Sequence, residues 1–257
     1  MSSLPRPQDL LDLRGRVVAI TGAAAGIGAG IARRLSQAGA SVLVHTRSTP
    51  LEPLLGTLPG PAASVRAELT APDGPTRVVE AALEAFGRID GLVNNAALQT
   101  VAALPELDDD AWTEMLEVNL SAVHRLTREV ARRMIEGRAP GSIVHLASIE
   151  GLQPAVGHGH YATSKAGVIM HARAAALEYG EHGIRINCIS PGLVDRPGLA
   201  EQWPQGVERW HDAAPLRRLG TPEDVGDACV FLLSELSRWI TGINLVVDGG
   251  VMARPTW

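Results

Sequence analysis

Four polar residues in this 257-residue chain have the types and spacing to move a proton. Tyr161 and Lys165 stand four apart in Y-A-T-S-K, so on a helix they project from one face. A free phenol ionises at a pH of about 10, too high for a base in neutral water. An adjacent ammonium stabilises the phenolate and lowers that value, and a helix N-terminal dipole acts in the same sense. Ser148, which ends V-H-L-A-S, can hydrogen-bond a substrate oxygen while Tyr161 transfers the proton. Asn119, in E-V-N-L, can hold a water that links Lys165 to solvent. Lys165 is also the chain's single lysine, against 22 arginines. An Arg-biased composition would by itself leave a lysine somewhere; a compact charge whose pKa can shift is what guanidinium lacks.

A second group of residues suits a nucleotide. Gly22, Gly26 and Gly28 lie in T-G-A-A-A-G-I-G, between an apolar run and a helical stretch. Glycines there allow a tight turn and close approach of a pyrophosphate, and the helix start offers free N–H groups to the anion. In such folds an acid after the second strand holds the ribose 2′-hydroxyl of NAD, while an Arg there accepts the 2′-phosphate of NADP. The segment V-L-V-H-T-R-S has no acid before Glu52. It has Arg47, flanked by Thr46 and Ser48, both able to donate to phosphate oxygens. NADP(H) is therefore the preferred cofactor, with NAD(H) as the alternative.

The elements that must hold these residues follow a strand–turn–helix rhythm. Strands are expected at Arg16–Ile20, Ser41–His45, Ser64–Ala67, Ile89–Val93, Ser142–Ala147, Ile184–Ile189 and Ile243–Val247. Helices are expected at Ile27–Ala38, Pro75–Phe86, Asp109–Ile135, Ala162–Tyr179 and Pro222–Leu233. Alternation of this kind predicts an α/β, Rossmann-like doubly wound parallel sheet with helices on both faces, and ligands beyond the carboxyl ends of its strands. Nothing from 1 to 257 reads as a linker, so a single domain is expected. A net charge of −5 without a basic stripe argues against a nucleic-acid partner, and no apolar run is long enough to span a bilayer. The first residues lack the apolar segment of a signal peptide. Cys188 and Cys229 have apolar neighbours and no metal-ligand spacing, which fits reduced core thiols in a cytoplasmic protein; no metal is expected.

The chain resembles the short-chain dehydrogenase/reductase family. The motifs run nearly its whole length: Thr21–Gly28, N-N-A-A at Asn94–Ala97, Asn119, Ser148, Tyr161 with Lys165, Pro191-Gly192, and V-D-G-G at Val247–Gly250. The resemblance implies an Asn119–Ser148–Tyr161–Lys165 tetrad acting on secondary alcohols or ketones, with Lys165 bonding the nicotinamide ribose and tuning Tyr161. It places the cofactor along Thr21, Gly22, Gly26, Ile27 and Gly28, then Thr46, Arg47 and Ser48, then Glu68 and Leu69, then Asn95 and Ala96. Pro191, Gly192 and Val194 meet its nicotinamide end, beside Tyr161 and Lys165. A homotetramer, or a homodimer, is also implied. Within the family the closest branches are 3-oxoacyl-thioester reductases and sugar or polyol dehydrogenases. Three departures stand out. Ala97 replaces a glycine, Glu68 replaces an Asp, and Arg196 stands near where a Thr is usual, free to meet a phosphate, meet an acidic substrate or point outward.

On the substrate side, 193–218 corresponds to the family's mobile lid and carries Trp203 and Trp210, which either face an apolar pocket or pack the lid down. His158 and His160, just before Tyr161, and Glu150 and Gln153, just after Ser148, are the polar candidates for substrate contact. The small-molecule partner is then a carbonyl compound or an alcohol. A catalytically silent nucleotide-binding regulator of the same fold is the competing reading; it would be expected to lose Tyr161 or Lys165, and both are present. An epimerase or dehydratase on nucleotide sugars would normally need a longer chain.

Overall fold

The structure, a computed structural model, describes residues 5–254. Its elements run β1 Val17–Ile20, α1 Gly26–Gln37, β2 Ser41–Thr46, α2 Glu52–Leu55, β3 Ala62–Arg66, α3 Gly74–Phe86, β4 Gly91–Asn94, α4 Asp109–Leu116, α5 Ala122–Glu136, β5 Gly141–Leu146, α6 Gly159–Tyr179, β6 Ile184–Pro191, α7 Leu199–Gln202, α8 Pro204–Ala213, α9 Pro222–Leu233 and β7 Asn244–Val247. All seven strands are parallel, in the order β3-β2-β1-β4-β5-β6-β7. The order reverses between β1 and β4, and that is where a crevice opens above a sheet of this type.

The central strands are apolar on both sides because helices cover both faces. Val18, Ile20, Val42, Val44, Val144 and Leu146 pack on one face with α1 and α9 residues such as Ile31, Leu35, Val225 and Leu232. Ala19, Leu43, Leu92, Ile143 and Ile186 pack on the other with Val78, Leu126, Val130, Val168 and Ala172. Both thiols are buried in these layers, Cys188 in the second and Cys229 in the first. On the first face α1 and α9 approach very closely. A Cβ at Gly30 would fall 2.6 Å from the Pro222 carbonyl carbon, and one at Gly226 would fall 3.0 Å from the Gly30 oxygen.

The elements match the sequence expectations apart from a few shifts. The third strand begins two residues earlier than expected, at Ala62. The single helix expected over Asp109–Ile135 is interrupted by a π-helical turn at Glu117–Ser121. The tyrosine-bearing helix starts at Gly159, so Tyr161 stands in its first turn. Two short helices, α7 and α8, occupy the segment read as loop. No described helix is long and apolar enough to cross a membrane.

Candidate active site

At the carboxyl end of β1 the chain turns left-handed at Gly22 and Gly26, with φ of +64° and +52°. Only glycine adopts such angles without strain. Space matters as much as angle: a Cβ on Gly28 would lie 2.3 Å from the Gly22 oxygen, and one on Gly22 would lie 2.8 Å from the Ala96 Cα. Thr21 and Asn95 lock the turn. Thr21 Oγ1 accepts from the backbone N–H of Asn95 and Ala96 at 2.9 and 3.0 Å, and Asn95 Nδ2 donates to the carbonyls of Thr21 and Gly22. Ala25 gives α1 no side-chain cap, so the first N–H groups of that helix are open to an anion. In front lies a cavity of ≈ 410 Å³, lined by Gly22, Thr46, Arg47, Ser48, Glu68, Leu69, Asn95 and Ala96 among others. An open helix start, glycines without room for a Cβ and a cavity of this length fit a dinucleotide. Arg47 and Ser48 are exposed beside it, and Ile27 packs half-buried under α1.

His45 joins this scaffold, and the sequence did not single it out. Its Nδ1 accepts from the Gly22 N–H at 3.3 Å, and its Nε2 lies 3.0 Å from the Ala67 oxygen, which fixes the Nε2–H tautomer. Burial holds its pKa below the usual imidazole range, so the ring ties β1 to β3 as a neutral group. A histidine at an otherwise apolar strand end (V-L-V-H-T) was the available signal. Glu68 turns onto its own loop, where Oε1 accepts from the N–H and hydroxyl of Thr70.

The residues read as handling the proton come together at the carboxyl end of β5 and the first turns of α6. Tyr161, Lys165 and Asn119 are all buried, at 8%, 3% and 1% exposure. Lys165 Nζ donates to the Leu146 carbonyl at 2.8 Å and lies 5.5 Å from the Tyr161 ring centre. Ser148 caps a short turn by accepting from the Glu150 N–H, and its hydroxyl near Tyr161 favours the phenolate. Burial wins nevertheless. It pushes Tyr161 up to about 12, with the Glu150 charge adding to the rise, and pulls Lys165 down to about 8. In the protein alone the phenol is therefore a weaker acid than free tyrosine, the reverse of the sequence expectation, because desolvation outweighs the lowering by Ser148. Asn119 sits in the π-helical turn, a feature common at functional sites. Its Oδ1 accepts from the Leu98 N–H at 2.7 Å, and its Nδ2 lies within bonding distance of the Leu98 oxygen and Ser164 Oγ. It braces the chain after β4, so its polar atoms are already engaged by protein rather than kept for a bridging water.

A family profile described as Enoyl-(Acyl carrier protein) reductase matches residues 22–252. The chain is 33% identical over 251 residues to 3beta-hydroxysteroid dehydrogenase 1 of Eggerthella lenta, covering 95% of this chain and 96% of that protein. The chain belongs to the short-chain dehydrogenase/reductase family. It is also 36% identical over 245 residues to the 3-oxoacyl-(acyl-carrier-protein) reductase FabG of Thermotoga maritima, covering 93% and 99%. Among solved structures it resembles one assigned as a 2-deoxy-d-gluconate 3-dehydrogenase from Agrobacterium tumefaciens with bound NADP, at TM-score 0.87 and 29% identity, covering 96% and 100%. Relatives of this kind are dehydrogenases and reductases acting on CH–OH and C=O groups.

In this short-chain dehydrogenase/reductase the substrate-side residues separate into three groups. Glu150 and His158 pair with each other, His158 Nδ1 to Glu150 Oε2 at 2.7 Å, and the His158 ring meets Tyr161 edge-on with centroids 6.2 Å apart. Gln153 is exposed nearby. His160 corrects the sequence expectation. It is fully buried, with Nε2 2.9 Å from Thr100 Oγ1, because the earlier helix start turns it inward to tie α6 to the chain after β4. The tryptophans pack within the 193–218 segment. Trp210 lies against Gly192, where a Cβ would meet its ring at 2.7 Å, and Trp203 is half-exposed with the Arg209 guanidinium 5.9 Å from its ring centre. Pro191 ends β6, the Gly192 N–H donates to the Val247 oxygen, and Val194 bridges to Gly220. Arg196 is exposed, and among the described residues its side chain has no hydrogen-bond partner.

Proposed function

We propose that this enzyme transfers hydride between NADP(H) and a carbonyl or secondary-alcohol substrate, with Tyr161 as general acid and base. The observation that carries the reading is the convergence of Ser148, Tyr161 and buried Lys165 at the end of β5, on the sheet edge that also carries the glycine turn after β1. When bound, the nicotinamide supplies or accepts the hydride. Tyr161, neutral at physiological pH, donates its hydroxyl proton to the substrate oxygen in the reducing direction and takes it back in the oxidising one. Ser148 holds the same oxygen in place, and Lys165 sets a positive charge below the phenol that favours phenolate as the proton leaves. Asn119 keeps the chain from Leu98 onward in register with α6.

The preference for NADP(H) over NAD(H) rests on Arg47, Thr46 and Ser48 around the cavity and on a Glu68 carboxylate bound to its own loop. Residues 193–218 act as the lid, with Trp203 and Glu150, Gln153 and His158 at the mouth. The working form is a homotetramer or homodimer: Ala166, Met170, Ala174 and Leu177 form an outward apolar stripe on α6 at helical spacing. Buried, unpaired thiols suit the cytoplasm. Replacing Tyr161 by Phe tests the chemistry. Turnover of a carbonyl panel, read by nicotinamide absorbance, should fall by about 10²–10⁴, while NADPH binding read by fluorescence persists. Near-normal turnover would remove Tyr161 from the mechanism.

A further inference from the structure

Three arginines stand near the carboxyl ends of β2 and β3, and the nearby Glu68 carboxylate is turned onto Thr70 of its own loop. Arg47 follows β2, Arg66 closes β3 opposite Thr46 in register, and Arg77 lies on α3. Backbone carbonyls tie them together: Arg66 Nε donates to the Arg47 oxygen at 3.1 Å, and Arg77 Nη2 donates to the Arg66 oxygen at 3.1 Å. Many arginines elsewhere on this surface stand against a carboxylate, among them Arg14, Arg16, Arg34, Arg88, Arg132 and Arg218. Among the described residues, none of these three does. The hydrogen bond made by Arg66 Nε orients its guanidinium and, among the described residues, leaves both terminal nitrogens without a hydrogen-bond partner. Arg47, whose carbonyl receives that bond, lines the cavity in front of the glycine turn.

Neighbouring guanidiniums repel one another and gain most from an anion carrying more than one charge. A phosphomonoester is close to a dianion at neutral pH and accepts in-plane bonds from two guanidiniums at once, as a ribose hydroxyl cannot. We propose that Arg66 is a second specificity-determining cation, holding the adenosine 2′-phosphate together with Arg47. The inference rests on the NADP(H) reading above and adds a residue that lies outside the β2 loop where the sequence places discrimination.

The test is calorimetric titration of the whole protein with two probes that differ only in that phosphate, 2′,5′-ADP and 5′-AMP. Wild type should bind 2′,5′-ADP more tightly. Arg66→Gln should weaken 2′,5′-ADP by about tenfold, the lower end for hydrogen bonds to charged groups at an exposed site, and leave 5′-AMP within about twofold. Arg66→Lys should recover part of the loss, and the Arg47→Gln/Arg66→Gln pair should bind both probes alike. Unchanged 2′,5′-ADP affinity in Arg66→Gln, or equal losses for both probes, overturns the role of Arg66. Wild type binding both probes equally would instead overturn the NADP(H) preference itself.

Discussion

At the scale of single residues, the site is built on an ammonium and a phenol that the fold holds in their uncharged directions. Lys165 keeps its proton up to about 10.5 when unfolded and only to about 8 when folded. Between those values the unfolded chain binds the extra proton, so stability rises with pH. Tyr161 acts in the opposite sense, ionising at about 10.0 unfolded and about 12 folded, so its contribution falls as pH climbs above 10. At pH 7 the buried ammonium therefore costs on the order of a few kcal/mol. Lys165→Met should abolish turnover yet raise the melting midpoint at pH 7 by several degrees, and the gain should vanish by about pH 10. A midpoint lowered at every pH would contradict this. Arg47→Glu should weaken NADPH far more than NADH, since it sets a carboxylate against a phosphate; titrations of both coenzymes decide it. Asn119, Ser148, Tyr161 and Lys165 could be singled out in the sequence because each role proposed for them needs one side-chain type. His45 was harder to read, because it works by bonding backbone that only the folded turn brings near.

At the scale of elements, two joints position the site. The π-helical turn at Glu117–Ser121 lets one continuous run present Asn119 toward Leu98 and Ser164, and then resume as α5. Apolar periodicity cannot reveal such a turn, since the helices on either side keep their buried faces. The α1–α9 contact is the other joint. Gly30→Ala would drive a methyl into Pro222, and we expect a loss of about 1–3 kcal/mol, as for overpacking generally. The joint lies directly behind the glycine turn, so cofactor affinity should fall along with the melting midpoint; a variant as stable as wild type would show that α9 yields easily. The strands were read to within two residues where they are central and apolar. The half-exposed third strand was read about as closely, starting two residues before the expected Ser64. The short helices α7 and α8 were missed because Pro204, Gly198 and Gly206 punctuate the segment as turns do.

At the scale of the whole molecule, strand order alone brings the cofactor turn after β1 and the tyrosine helix after β5 to one rim of the sheet. The α6 stripe is exposed. Leu177, 86% exposed, should matter to assembly and not to chemistry. Leu177→Glu should give a smaller particle by light scattering than wild type, and a wild-type protein that runs as a monomer would refute the oligomer. One consequence of the arginine-rich composition reaches into practice. Apart from its α-amino group, the chain offers amine-selective reagents a single target, Lys165, which is shielded by α6 and β5 and close to half deprotonated at about pH 8. Aldehydes or active esters that abolish activity should therefore do so with one adduct per subunit on that side chain, and intact mass spectrometry would read occupancy of the crevice directly as protection from modification.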